Sequence, residues 1–173
     1  MSGLYTIPFS GLKEGRHLFD FKIGDEFFEQ FEESEIKEGN LVVTVEIEKL
    51  STHADMAIRI TGDVRICCDR CLGMFFQPII CENRIIVEFG KSMEDIDPDI
   101  ISVPADNSEL DLRQHIYEFI NLALPIKRVH PDDEKGNSTC DPVMLKKLEE
   151  LTIEDENEED PRWDELKKLM NDN

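Results

Sequence analysis

The residues best equipped for chemistry lie in Cys67-Cys68-Asp69-Arg70-Cys71, which holds three of the chain's five cysteines. A Cys-x-x-Cys turn aims two sulfurs at one point and sets backbone N–H groups behind them. Two thiolates at about 2.3 Å from one ion form half of a tetrahedral zinc site. Gly73 would supply the positive φ that such a turn needs. The other half must come from elsewhere, and Cys140, His130, Cys81 and Cys67 are the candidates. Cys67 is expected on the strand face opposite Cys68, and Cys81 equally suits a buried core thiol across a hairpin. His130 and Cys140 share one polar loop, which makes them the best-matched pair. Bland packing of idle thiols is the alternative to a metal. Thiol redox chemistry at Cys68 and Cys71 is a third use of the same turn. That chemistry favours a helix N-terminus, where the dipole lowers a thiol pKa, and this turn lies between two strand patterns.

No other constellation points to catalysis. The sequence has no Gly-rich phosphate loop and no Gly-x-Ser-x-Gly elbow. His17, His53, His115 and His130 are scattered, and the acids fall mostly in solvated runs. The expectation is therefore a binding or assembly factor rather than an enzyme. Arg59, Arg65, Arg70 and Arg84 are candidate binding residues on the open face of a sheet. They also suit the polar positions of half-buried strands.

A net charge of −20, from 39 acidic and 19 basic residues, disfavours broad electrostatic attraction to nucleic-acid phosphate and favours basic protein partners. The charge is uneven. Residues 56–92 are near neutral, whereas residues 131–173 hold 15 acids against 6 bases. RNA contact would have to be local and in the middle segment. No apolar run approaches the ~20 residues needed to span a bilayer, no signal-peptide pattern opens the chain, and the odd cysteine count fits reduced thiols. The expected location is the cytoplasm, with no membrane partner.

The elements that must position the cysteines are mostly strands. His17 to Ile23 alternates, with Phe19, Phe21 and Ile23 on one side. Asp25 to Phe31 places Phe27, Phe28 and Phe31 on one side of a short helix. Leu41 to Lys49 alternates with Val43, Val45 and Ile47 inward. Met56 to Ile66 reads as two strand pieces around Thr61-Gly62-Asp63, and Phe75 to Phe89 as a long β run. Its parity changes near Pro78, which predicts a bulge or an edge position there. Short connections make these strands antiparallel.

Lys91 to Ser108 reads as a loop. Ser108 with Asp111 reads as the cap of a long helix. Its stripe runs through Leu112, Ile116, Phe119 and Ala123, with Tyr117, Ile120 and Leu124 beside it, and Pro125 ends it. Asp141-Pro142 starts a further helix carrying Met144, Leu145, Leu148 and Leu151. Residues 149–160 hold eight acids and no base, a solvated linker. Asp160-Pro161 then starts a terminal helix with Trp163, Leu166, Leu169 and Met170 on one side. The expected fold is α+β: an antiparallel sheet, open or curled toward a barrel, packed by one long helix and followed by C-terminal helices. The expected organisation is a core domain over residues 1–130 with the Cys-x-x-Cys turn, then an acidic extension over residues 131–173 with two short helices.

Cys68-Asp69-Arg70-Cys71-Leu72 followed by a long β run resembles the Cys-x-Arg-Cys signature of the YceD family, the large ribosomal RNA subunit accumulation proteins. The likeness continues in Asp111-Leu112, Glu118 and Leu122-Ala123-Leu124-Pro125. It continues again in His130 and Cys140, and in Asp160-Pro161-Arg162-Trp163 before the last helix. The resemblance implies a cytoplasmic, non-enzymatic factor supporting accumulation or processing of large-subunit ribosomal RNA. Its implied partner is a basic ribosomal protein or a large-subunit precursor. Many relatives carry a second Cys-x-x-Cys after the Leu-Pro, where this chain has His130 and Cys140. Carried over, the metal set for zinc is Cys68, Cys71, His130 and Cys140. Outside the resemblance, the alternatives are a redox protein using Cys68 and Cys71, or an acidic interaction module with no ribosomal role.

Overall fold

In the computed structural model, residues 5–89, 100–103 and 109–152 are described. The alternating segments form strands β2 (Gly15–Ile23), β3 (Glu38–Lys49), β4 (His53–Cys67) and β5 (Met74–Phe89), and β1 (Thr6–Ile7) precedes them. They build a five-stranded sheet in the order β2-β3-β4-β5-β6, where β6 is Ile100–Val103. A separate two-stranded ribbon pairs β1 with β7 (Leu110–Asp111). The helices are α1 (Asp25–Phe28), α2 (Arg113–Leu122) and α3 (Pro142–Leu151).

Strand alternation sets the core. Val43, Val45 and Ile47 of β3, Met56, Ile58 and Ile60 of β4, and Ile79, Ile85 and Val87 of β5 all point to one face and are buried. Fully burying each such side chain stabilises the fold by about 1.5–3 kcal/mol. Phe27 and Phe28 of α1 cover that face edge-on to one another, with ring centroids 5.4 Å apart. Ile116 and Ile120 of α2 complete the cover, and Tyr117 stacks on Phe31 at 3.9 Å. The opposite face of the sheet is open among the described residues. Its polar positions form cross-strand pairs, as in Arg59–Glu82 and Arg16–Glu48.

Several expectations need correction. The sheet does not curl into a barrel, because its five strands run from β2 at one edge to β6 at the other without closure. It is not wholly antiparallel, since β6 joins β5 in parallel. That strand lies where a loop was expected, and its four residues are too few to show a period. The packing helix is not long. It begins at Arg113, with Leu112 at its N-cap position, because Leu110 and Asp111 are held in the ribbon with β1. Asp111 still accepts the Arg113 backbone N–H at 3.0 Å, while Ser108 lies outside the described residues. Residues 53–67 form one strand rather than two pieces. It continues through Gly62, whose φ of +143° only glycine adopts readily.

No bulge occurs at Pro78 either. Register with β4 is unbroken from His53↔Glu88 to Cys67↔Met74, and Phe75, Ile79, Ile85 and Val87 all face inward. Among the described residues the edge position does hold, because β6 reaches only Ile86–Phe89 and leaves Pro78 on an uncovered stretch of β5. Asp141 caps α3 as expected, accepting the Val143 N–H at 2.8 Å with Pro142 at the first helical position. The segment from Asp160 to Met170 lies outside the described residues.

Candidate metal centre

The β4–β5 hairpin ends in the turn that carries the first two candidate ligands. The Cys68 N–H donates to the Gly73 carbonyl at 2.9 Å, and the Leu72 N–H donates to the Cys68 carbonyl at 3.0 Å. The turn's left-handed residue is Leu72, with φ 61°, and not Gly73. A non-glycine residue there costs about 1–2 kcal/mol, which the ordered turn must offset. Gly73 matters for space instead. A side-chain carbon on it would lie 3.3 Å from the His130 ring and 3.4 Å from the Cys71 sulfur.

The chain returns to this turn twice. After α2 it passes Arg128 and His130, and after a polar loop it reaches Cys140. The Cys68 and Cys140 sulfurs are 3.7 Å apart. His130 Nδ1 lies 3.4 Å from the Cys71 sulfur and 3.7 Å from that of Cys140. All four donor atoms fall within 4.8 Å of one another, and the three cysteines are buried. Tetrahedral zinc with bonds of about 2.3 Å to sulfur and about 2.0–2.1 Å to nitrogen places sulfurs about 3.8 Å apart and sulfur and nitrogen about 3.6 Å apart. These three separations are close to that geometry. The Cys68–Cys140 separation is far longer than the about 2.05 Å of a disulfide, and all the cysteines are free. The residues present therefore fit a tetrahedral Cys3His ion.

The electrostatics point the same way at Cys68. Burial would raise its thiol pKa. The N–H groups of Cys71, Arg70 and His130, with the His130 side chain, outweigh that and lower it to about 6. The Arg70 N–H lies 3.4 Å from the sulfur. A thiol already inclined to ionise is a ready metal ligand. At Cys140 the Ser138 hydroxyl favours the thiolate, but burial and the Cys68 and Cys71 sulfurs outweigh it and raise the pKa. Three thiolates crowded without a cation repel one another, and a bound dication relieves this.

Two features hold the halves together without metal. The Asp69 N–H donates to the Arg128 carbonyl, and the Arg128 N–H donates back to the Asp69 carboxylate, each at 2.7 Å. The Arg128 guanidinium then reaches Glu35 at 2.7 Å. The Phe75 ring packs on His130 with centroids 4.8 Å apart and fixes the plane of the imidazole. Asp69 gives no local sign of this role, because its partner lies 59 positions away.

The other candidate ligands lie elsewhere. Cys67 faces outward and is exposed, as its strand parity implies, with its sulfur 3.4 Å from the Leu72 carbonyl. Cys81 is half-buried against the core near the Phe119 carbonyl, and burial raises its thiol pKa. Among the candidate binding arginines, Arg59 bonds Glu82 at 2.8 Å and Arg65 pairs with Glu38 across the strands. Arg84 lies 3.9 Å from Glu82. These three share the open face of the sheet, and Arg70 sits in the turn itself.

Compared with known protein families, residues 56–170 match one described as Large ribosomal RNA subunit accumulation protein YceD. That match takes in β4 from Met56 onward, β5, the turn and all four clustered ligands. No curated protein and no solved structure matches the chain.

Proposed function

Since the chain belongs to the YceD family of large ribosomal RNA subunit accumulation proteins, we propose that it is a non-enzymatic, cytoplasmic factor in biogenesis of the large ribosomal subunit. The family match over residues 56–170 carries this reading. In it, the protein supports accumulation or processing of the large-subunit RNA by contact with a basic ribosomal protein or with the precursor particle. The net charge of −20 suits a basic protein partner better than bare RNA. The acidic run 149–160 would imitate RNA phosphate and shield such a partner before handover. RNA contact would be local, through the arginines of the near-neutral sheet face. No helix among the described residues is long and apolar enough to cross a membrane.

Zinc is the cofactor this reading assigns to Cys68, Cys71, His130 and Cys140. Bound there, the ion would serve as a structural cross-link between the hairpin turn and the 128–140 loop, with all four positions filled by protein and none left for substrate. The chain's own part is to present one lowered-pKa thiol, two further buried thiols and an imidazole held by Phe75. The low pKa of Cys68 also favours a second reading, a thiol redox protein using Cys68 and Cys71.

Affinity purification of the full chain in low and in physiological salt tests the first reading. A ribosomal protein or large-subunit precursor should co-purify, and depletion should lower the ratio of large to small subunits. No such partner, with an unchanged ratio, would refute it. For the redox reading, loss of function in either Cys68→Ser or Cys71→Ser with no metal bound is the expected result, and one equivalent of zinc would count against it.

A further inference from the structure

The sheet carries a surface that the metal centre does not use. Beyond the turn, β5 presents Met74, Phe76, Pro78 and Ile80 outward in succession, and Leu72 precedes them in the same alternation. All five are exposed; Phe76 is 60% and Ile80 82% accessible. The row continues across the sheet, where Ile80 stands beside Thr61 and Thr61 beside the exposed Val42. Isolated exposed apolar residues are ordinary, but a contiguous row on an uncovered sheet face marks an interaction site.

Among the described residues, the backbone beside this row is also unpaired. β4 bonds one edge of β5 along its length, while β6 covers the other edge only at Ile86–Phe89. Among the described residues, no backbone hydrogen bond reaches the remaining edge over residues 74–85. The eight residues Met74 to Cys81 contain no charged side chain, so the usual charged protection of an edge strand is missing and Pro78 alone interrupts it. β6 shows that this edge accepts an added strand, and the free stretch continues directly from it.

We propose that the open edge of β5, with the apolar row from Leu72 to Ile80, receives an extended segment of a basic protein as an added strand. Backbone bonds to the edge would supply affinity, and alternate apolar side chains of the segment would pack on Phe76 and Ile80. The sheet face around the row is balanced, its arginines being paired with Glu38 and Glu82. The chain as a whole carries −20, and that field attracts a basic segment and repels a second copy of this chain. The proposal rests on the reading above, in which the partner is a basic ribosomal protein, and it names the surface that partner would use.

The test uses the full chain, labelled with ¹⁵N, and two synthetic ten-residue peptides: one alternating valine with lysine, the other valine with glutamate. The lysine peptide should shift the amide signals of residues 74–85 and slow their exchange, and the glutamate peptide should not. Ile80→Asp should weaken that binding at least tenfold and leave the melting temperature unchanged, since the side chain is already in water. Equal binding of both peptides, shifts confined to another surface, or unchanged affinity in Ile80→Asp would overturn the proposal. So would a dimer in sedimentation that Ile80→Asp dissolves, because a second copy would then be the occupant. Tighter peptide binding in Trp163→Ala would overturn it too, by making the chain's own C-terminal segment the occupant. A ribosomal protein that co-purifies equally with wild type and Ile80→Asp would sink this surface and leave the ribosomal reading standing. Binding of the lysine peptide at the β5 edge without any ribosomal co-purification would do the reverse.

Discussion

Replacing Asp69 with alanine should weaken zinc binding without removing any ligand. Asp69 bridges the turn holding Cys68 and Cys71 to the segment holding His130, through two 2.7 Å hydrogen bonds with the backbone of Arg128. The substitution deletes only the bond accepted by the carboxylate. A hydrogen bond to a charged group contributes about 1.5–3 kcal/mol, and the exposed position of Asp69 argues for the lower end. At about 1.4 kcal/mol per tenfold, zinc affinity should fall about tenfold, at the weak end of the ~10–100-fold seen when groups supporting metal ligands are lost. Asp69→Asn keeps an oxygen for the Arg128 N–H and should stay within about threefold of wild type. Competition with a chromophoric chelator reads both affinities, and thermal melting of the metal-free proteins separates local from global damage. Wild-type zinc affinity in Asp69→Ala would refute the idea that this bridge preorganises the site.

Three other outcomes follow from the same structure. Zinc affinity should decline across pH 8 to 5, because protons compete for the raised-pKa Cys140 sulfur throughout, and more steeply below about 6, where they also compete for Cys68; a chelator titration across that range measures this. Burial lowers the pKa of His115 below its ordinary 6.5 against the pull of Glu118 and Asp111. The unfolded chain therefore takes up a proton there more readily than the folded one, so the stabilisation is full above about pH 6.5 and is lost as pH falls through the folded-state value. Urea melts of wild type and His115→Gln between pH 5 and 7.5 should show that component only in wild type. Gly62→Ala should destabilise the protein by about 3 kcal/mol or more, because its side-chain carbon would sit 2.2 Å from the Asn40 carbonyl oxygen at a φ of +143°. Its urea midpoint should drop accordingly.

Much of the fold was legible because its strands are half-buried. A face of Val43, Val45 and Ile47 beside Thr44, Glu46 and Glu48 can only be one side of a sheet. The same alternation failed on β5, where outward Phe76 and Ile80 are as apolar as inward Phe75 and Ile79, and the parity seemed to change at Pro78. β6 and β7, four and two residues long, are too short to show any period. The pairing of β7 with β1 also cost α2 the first turn that Ser108 and Asp111 suggested. At the candidate site, ligand types and loop placement made His130 and Cys140 the best-matched partners for Cys68 and Cys71, with Cys81 and Cys67 left open, and the family resemblance implied the set of four. The positive φ at Leu72, the Phe75–His130 packing and the Asp69–Arg128 bridge were not legible, because each depends on a neighbour that only folding supplies.

In the proposed function, these four side chains bind one ion and tie the hairpin turn to the 128–140 loop. Elemental analysis of full-length protein, made without added zinc and passed over a desalting column, addresses this most directly. The expected result is one zinc per chain in wild type and far less in Cys140→Ser. A metal-free wild-type protein, or one whose zinc content Cys140→Ser leaves unchanged, would contradict it.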